Sequence, residues 1–434
     1  MSALPTQGTT FEVIDIFPLG QEDNEGAAVD LRQGVIEFQY FEDLMSPVIP
    51  AVMRVTSSGE GVYNTLPIQG GELVNLHFTT PIELQREDSP GVLEFKLYVN
   101  HVTDYIQEKQ KEVFTLHLVS KEGIKNLNKR IIKKYKQKRV DEVITDFLDI
   151  LECEYEKEDI EKAQNKVNFI GNMRKPFTLI PGLCARAIPE GANSKSAGFF
   201  LWQTKSGIKF KSIESIIKDK EVHDEGEYWF NRKNEGVEDP EKSFKKILTF
   251  STQNNNNVMA AQRSGEYSTY RIYFNPYTFE FTDPSQSVFK PEGQESLGTE
   301  EKEITEEADP KKIPSPEMAH RIVSGIYACG TLEEIADVNV SIASTIVNQD
   351  HVEDVGQSIS RYASLFNEVV TLTVGLNPFL EAGDIIKCTF PKVSTEDDVD
   401  HTQSGLYIIK EISHYMRGNK SFSALKILRD TPGD

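Results

Sequence analysis

The sequence predicts an α+β protein, mainly β, whose β-rich ends flank a helical middle. Three observations carry this. Residues 368–429 and residues 11–119 alternate apolar and polar side chains with the period of two of half-buried strands, and from Lys121 the period changes to about 3.6. At 434 residues the chain is long enough for two to four domains and a large interior.

In the C-terminal stretch, Val370, Leu372, Val374 and Leu376 share one face of a strand, and Ile386, Cys388 and Phe390 share a face of the next. Residues 406–416 and 422–429 follow as a hairpin around Arg417-Gly418-Asn419-Lys420, where Gly and Asn tolerate positive φ. This last pair is apolar on both sides, with Leu406, Ile408 and Ile412 on one and Tyr407, Ile409 and Tyr415 on the other. Both faces are therefore expected to be covered, one of them by another domain or subunit.

At the N-terminal end, Ile36, Phe38 and Tyr40, then Val74, Leu76 and Phe78, then Leu93, Phe95, Leu97 and Val99, then Phe114, Leu116 and Leu118 mark four strands. Gly- and Pro-rich turns separate them, as in a small antiparallel barrel or sandwich. Beyond Lys121, one helical face is expected through Ile124, Leu127, Ile131 and Tyr135, and another through Val143, Ile144, Phe147, Leu148 and Leu151. A further helix is expected after Pro176, with Thr178 as N-cap and Pro181 in its first turn. The turn Thr204-Lys205-Ser206-Gly207 predicts a β-hairpin, with Trp202 in a core.

Polar residues 219–240 read as a connector, and residues 246–250 and 270–274 as short strands. Residues 284–316 hold five prolines and an acidic run, and are expected to lie outside the β cores and to be cut first by proteases. Ser315-Pro316 with Met318, Ile322 and Ile326 predicts a helix ending at Gly330, and Thr331 starts a capping box for another.

A net charge of −21 argues against a chain that grips nucleic acid, but suits a wall that DNA slides past. The basic cluster Lys129, Arg130, Lys133, Lys134, Lys136, Lys138 and Arg139 lacks interleaved aromatics beyond Tyr135 and reads as a solvated helix end. No apolar run approaches the ~20 residues of a membrane span, and Met1-Ser2-Ala3-Leu4-Pro5 does not read as a signal peptide. Cys153, Cys184, Cys329 and Cys388 lie far apart, which favours a reducing compartment.

No catalytic motif is present, so no enzymatic activity, catalytic residue or cofactor is expected. Asp397-Asp398-Val399-Asp400-His401 is the nearest approach to a metal site, but without calcium-loop spacing it reads as a polar loop. His77 and His117 fall on polar strand faces, and His414 reads as a hydrogen-bonded, partly buried histidine. Two rival classes are a glycan- or receptor-binding module, for which Tyr228, Trp229 and Phe230 are the only suitable aromatic cluster, and a cell-wall hydrolase, which needs two positioned carboxylates.

Five stretches in order carry a family resemblance. They are residues 118–126 (LVSKEGIKN), RKPF at 174–177 running to ARAI at 185–188, SAGFF at 196–200, RIYFNPY at 271–277, and AGD at 382–384 with SGLYIIKE at 404–411. Together the sequence resembles the baseplate hub proteins of contractile-tailed bacteriophages. The resemblance implies a first tube-like β-barrel domain over residues 9–120, a helical/α+β domain over 121–217, and a second tube-like domain starting in 218–283 and resuming at 367–434. The acidic loop 284–316 and a helical insertion 317–366 interrupt it. It also implies a homotrimer presenting a pseudo-sixfold ring, which joins the hexameric tail tube to a central trimeric spike among other baseplate proteins. DNA would pass through the channel without specific binding. The expected location is the virion tail baseplate, assembled in the host cytoplasm.

Overall fold

The alternating stretches at the two ends of the chain meet in one sheet. The computed structural model describes residues 9–22, 24–58, 61–79, 92–190, 197–218, 222–230, 245–254, 257–275, 279–281, 288–289, 295–298, 320–326, 350–392, 399–417 and 420–431. Seven strands build the N-terminal set: β1 (Thr10–Phe17), β2 (Val29–Asp30), β3 (Val35–Asp43), β4 (Pro50–Ser58), β5 (Leu73–Thr79), β6 (Val92–Glu108) and β7 (Lys111–Val119), with the short helix α1 (Val62–Thr65) between β4 and β5. Their alternation buries Phe38, Tyr40, Leu76, Phe78, Phe95, Phe114 and Leu116 in a single core.

The middle region holds α2 (Lys121–Asn128), β8 (Lys134–Arg139), α3 (Val140–Ile150), β9 (Lys166–Ile170), α4 (Pro176–Cys184), the hairpin β10 (Phe199–Thr204) and β11 (Gly207–Ser212), and α5 (Ile213–Lys218). The stripe Val143, Ile144, Phe147, Leu148 is buried on α3, as its period requires. Two expectations are corrected here. The helical face drawn to Tyr135 stops at Asn128, and Tyr135 lies on β8, where it stacks on Phe169 of β9. Helix α4 starts at Pro176 with Lys175 as cap, so Pro181 sits inside the helix and not in its first turn.

The remaining elements are β12 (Val222–Trp229), β13 (Thr249–Asn254), α6 (Val258–Ser264), β14 (Thr269–Asn275), β15 (Glu280–Phe281), β16 (Val288–Phe289), β17 (Arg321–Ile326), α7 (Asp350–Leu365), β18 (Glu368–Gly375), β19 (Ile385–Thr389), β20 (Gly405–Arg417) and β21 (Lys420–Arg429). Within the expected connector, β12 is a strand, parallel to β19. Where a helix was expected through Ile322 and Ile326, β17 pairs in parallel with β14, because residues 321–326 complete the edge of a second small sheet. The rest of that expected helix and the capping box at Thr331 lie outside the described residues. The acidic stretch is anchored at two points: β16 pairs with β14, and Leu297 is buried, its N–H donating to Asp430 Oδ1 at 3.0 Å.

The main sheet runs β13-β18-β21-β20-β3-β4-β7-β6-β5-β1-β2, with β19 paired to β20 and β12 to β19. Two separate barrels were expected. Among the described residues the two sets are joined edge to edge by β3 and β20, and in the C-terminal set a parallel bridge from Trp229 at the end of β12 to Lys246, just ahead of β13, links the two outer strands. The reason lies in β20, which is long enough to serve two partners: its residues 405–408 pair with β19 and its residues 411–416 with β3. An irregularity between Ile409 and Glu411 falls at the changeover and puts Ile412 on the same side as Tyr407 and Ile409, in the core with Leu425 and Ile427.

The second apolar face of this region is covered at its β19 end. Ile408, Leu428, Val369 and Ile385 pack with Phe200 and Trp202 of β10, Ile213 and Ile217 of α5, and Leu365 of α7. At this end of the hairpin the cover expected from another domain or subunit comes from the chain's own middle region, while further along Tyr415 stacks on Phe422 and both stay half-buried.

Candidate functional site

The place where the sheet halves join is the most constrained polar region of the chain. Glu42 extends the inward row of Phe38 and Tyr40, so a carboxyl enters a position that the strand period reserves for an apolar side chain. It is 1% exposed, which demands partners. Its Oε1 accepts from the Lys205 N–H at 2.9 Å and its Oε2 from the Ala382 N–H at 3.0 Å. One side chain of β3 therefore binds both the hairpin turn and the loop before β19.

Glu381 completes the cluster. It accepts from Lys209 Nζ at 2.7 Å and Ser206 Oγ at 2.8 Å, and Lys205 Nζ stands 3.8 Å away. Lys205 Nζ also donates to the Pro378 carbonyl. Burial pushes Glu42 up to about 8, helped by the Glu381 charge and opposed by Lys205 and the two N–H donors. Burial pushes Glu381 in the same direction, but the Lys209 and Lys205 ammoniums outweigh it and hold it below its ordinary value. At neutral pH Glu42 thus keeps a proton beside an ionised Glu381. Burial also depresses Lys205, more than Glu381 and Glu42 raise it.

Backbone fit locks the same corner. Gly383 has φ +95°, and a Cβ there would lie 2.7 Å from the Trp202 ring. The Trp202 indole N–H donates to the Ala382 carbonyl at 2.7 Å. Next to it, His414 on β20 is fully buried against Tyr40 on β3, and its Nδ1 shares a 2.9 Å hydrogen bond with Ser423 Oγ. A cavity of about 710 Å³ adjoins the joint, lined in part by Phe41, Asp43, Thr371, Glu411, Ser413 and Lys426. The arrangement offers no nucleophile and base pair. What it does is fasten three segments of chain to one another.

The residues singled out from sequence are dispersed. His77 lies 3.8 Å from Glu94 across β5 and β6, and His117 stacks on His101 and hydrogen-bonds Thr103. Asp400 accepts from the Thr402 and Gln403 N–H groups, a turn role, while Asp397 and Asp398 fall outside the described residues. Among the described residues no group of three or more His, Cys, Asp or Glu could hold a metal ion. The aromatic cluster does not form an open groove: Tyr228 is buried, its hydroxyl accepting from Asn377, and Phe230 packs on Phe250. The expected solvated helix end around Lys129 to Arg139 is instead strand β8 and the segment leading to it. Sequence reasoning missed Glu42, whose signal was a glutamate in phase with Phe38 and Tyr40.

No family model matches this sequence, and no curated protein matches it. Solved structures do. The fold is similar to that of the tail protein from Neisseria meningitidis MC58, with 8% identity and a TM-score of 0.50 over 98% of this chain and 97% of that one. The 43 kDa tail protein of prophage MuSo2 from Shewanella oneidensis matches at 9% identity and a TM-score of 0.48, covering 97% of this chain and all of that one. The E. coli c3393 protein, a component of the type VI secretion system, matches at 8% identity and a TM-score of 0.43, over 92% and 74% of the two chains. The fold is of the tail-protein kind, as the sequence resemblance implied.

Proposed function

We propose that this chain is the structural hub of a phage tail baseplate, without catalytic chemistry of its own. Three copies form a ring that meets a six-fold tail tube on one side and a three-fold spike on the other, with DNA passing through. It resides in the virion tail after assembly in the host cytoplasm. The single observation that carries this reading is the pairing of β3 with β20, which sets two strand sets side by side within one chain. Each set is taken as one tube-like unit, so three chains supply six. The likeness to a solved tail protein supports the fold on which this rests.

The β19 end of β20 and β21 is covered on both faces by the chain itself, whereas beyond the irregularity Ser413, Tyr415, Phe422 and Ala424 are only half-buried and leave that stretch open to a contact between copies. Among the described residues the terminal strands of the main sheet are β2, β12 and β13, with the last two joined to each other only through the Trp229–Lys246 bridge. Unpaired strand edges invite pairing, and head-to-tail contacts close a ring under a 120° rotation. Light scattering of the hub with a spike partner is expected to give three hub chains per complex. A stable complex of six hub chains, or superposition that finds no similarity between the two strand sets, overturns the reading.

A further inference from the structure

We propose that the ribbon of β8 and β9 is a docking arm that seats on the acidic surface of a second copy of this chain. The inference rests on the ring proposed above and names a contact within it. The ribbon stands apart from the main sheet as a two-stranded antiparallel pair. Its inner face is core: Tyr135 and Val167 are buried with Phe147 of α3, and Phe169 packs on them. Its outer end carries Ile132, Ile170 and Met173, which are 70%, 61% and 66% exposed.

The exposure of Met173 is built into the backbone. Asn172 and Met173 both have left-handed φ, 49° and 55°, a region that residues with a Cβ rarely occupy. The turn is nevertheless pinned, with the Met173 N–H donating to the Ile131 carbonyl at 2.9 Å and the Arg174 N–H to the Gly171 carbonyl at 3.0 Å. A disfavoured conformation that holds a large apolar side chain in water is explained by a surface that later covers it.

Charge identifies the surface. Residues 129–139 and 166–175 hold ten Lys and Arg and no Asp or Glu, in a chain whose net charge is −21, so the remainder carries −31. Asp146, Glu142 and Asp141 pair with Lys133, Lys138 and Arg139. Among the described residues, Lys134, Lys136, Lys166, Arg174 and Lys175 have no ion pair, and Lys134 faces Ile170 across the ribbon. An apolar tip ringed by cations fits a protein surface rimmed with carboxylates, and the rest of this chain supplies the negative charge. A single-stranded nucleic acid would call for outward aromatics, whereas Tyr135 and Phe169 face the core.

The test uses the full chain. Met173 is replaced by the photo-crosslinker p-benzoylphenylalanine, and cross-linked peptides are mapped by mass spectrometry. In parallel, sedimentation at low and high salt compares the natural chain with Ile132→Asn/Ile170→Asn/Met173→Gln and with Lys134→Glu/Arg174→Glu, circular dichroism confirming their folding. We expect cross-links between copies, self-association weakened at least about tenfold in both variants, and loss of salt dependence in the charge variant. Unchanged association in both variants overturns the arm while leaving the ring intact. A natural chain that neither associates nor cross-links also overturns it, and the spike-bound mass then decides the ring separately. Retardation of the natural chain, but not the charge variant, by DNA reassigns the arm to nucleic acid and overturns the proposal as stated.

Discussion

Tyr40 and His414 face each other across β3 and β20, their rings stacked with centroids 4.8 Å apart. Neither is exposed to solvent. The imidazole is packed as a neutral ring: burial pushes its pKa down to about 3, and the Lys205 charge adds to the effect.

This joint predicts how stability follows pH. Glu42 is raised from 4.5 to about 8, so the native state holds its proton while the unfolded chain loses it, and stability falls as pH rises through that window. His414 is depressed from 6.5 to about 3, so below 6.5 the unfolded chain gains a proton that the native state refuses, and stability falls toward acid. Between 4.5 and 6.5 the two slopes oppose, each about 1.4 kcal/mol per pH unit. Urea midpoints should form a plateau there and decline on both sides. Glu42→Gln should remove the alkaline decline, and persistence of that decline would show that another group causes it.

The Tyr40 hydroxyl is buried without a hydrogen-bond partner among the described residues. An unsatisfied buried hydroxyl costs about 1–3 kcal/mol, so Tyr40→Phe should be neutral or stabilising in urea unfolding. A loss above about 1 kcal/mol, the size of a typical hydrogen bond, would mean that the hydroxyl is satisfied.

Two glycines separate backbone strain from crowding. Gly207 has φ +135° and open space where a Cβ would go, whereas Gly383 has φ +95° with Trp202 in the way. Gly207→Ala should cost about 1 kcal/mol and Gly383→Ala at least about 2–3, because the second adds overpacking to strain. Equal losses would remove the role assigned to the Trp202 contact.

Arg361 on α7 is 2% exposed and lies 2.9 Å from Glu214 of α5, in poor hydrogen-bond alignment, and 3.1 Å from Asp430. It also donates to the Glu295 carbonyl at 2.5 Å. Arg361→Met strands two carboxylates away from water and should cost about 3–5 kcal/mol. A thermal unfolding temperature equal to that of the natural chain would contradict this.

The strands of both ends were legible because one-sided burial imposes a period of two, as in Val74, Leu76 and Phe78. Where a strand is set by pairing partners instead of by a buried face, the period is silent: Arg321 to Ile326 reads as part of a helical stripe yet pairs with β14. The helical face through Tyr135 failed for a related reason, since Tyr135 is buried from a strand at a spacing that also fits a helix. At the joint, Glu42 was visible as an acid in an apolar row, but its partners Lys205 and Ala382 are 163 and 340 residues away, and no local pattern connects them.

The pairing of β3 with β20 also sets a schedule. Gln39 and Ser413, bonded at 2.6 Å, are 374 residues apart, and at about 5–20 residues per second a ribosome needs roughly 20–75 s to travel from one to the other. Throughout that interval the outer edge of β3 has emerged with its N–H and C=O groups unanswered, an adhesive strip presented to every other nascent chain nearby. Newly made copies are thus most prone to clump before translation ends, and anything that slows the ribosome in the last third of the message lengthens the hazard.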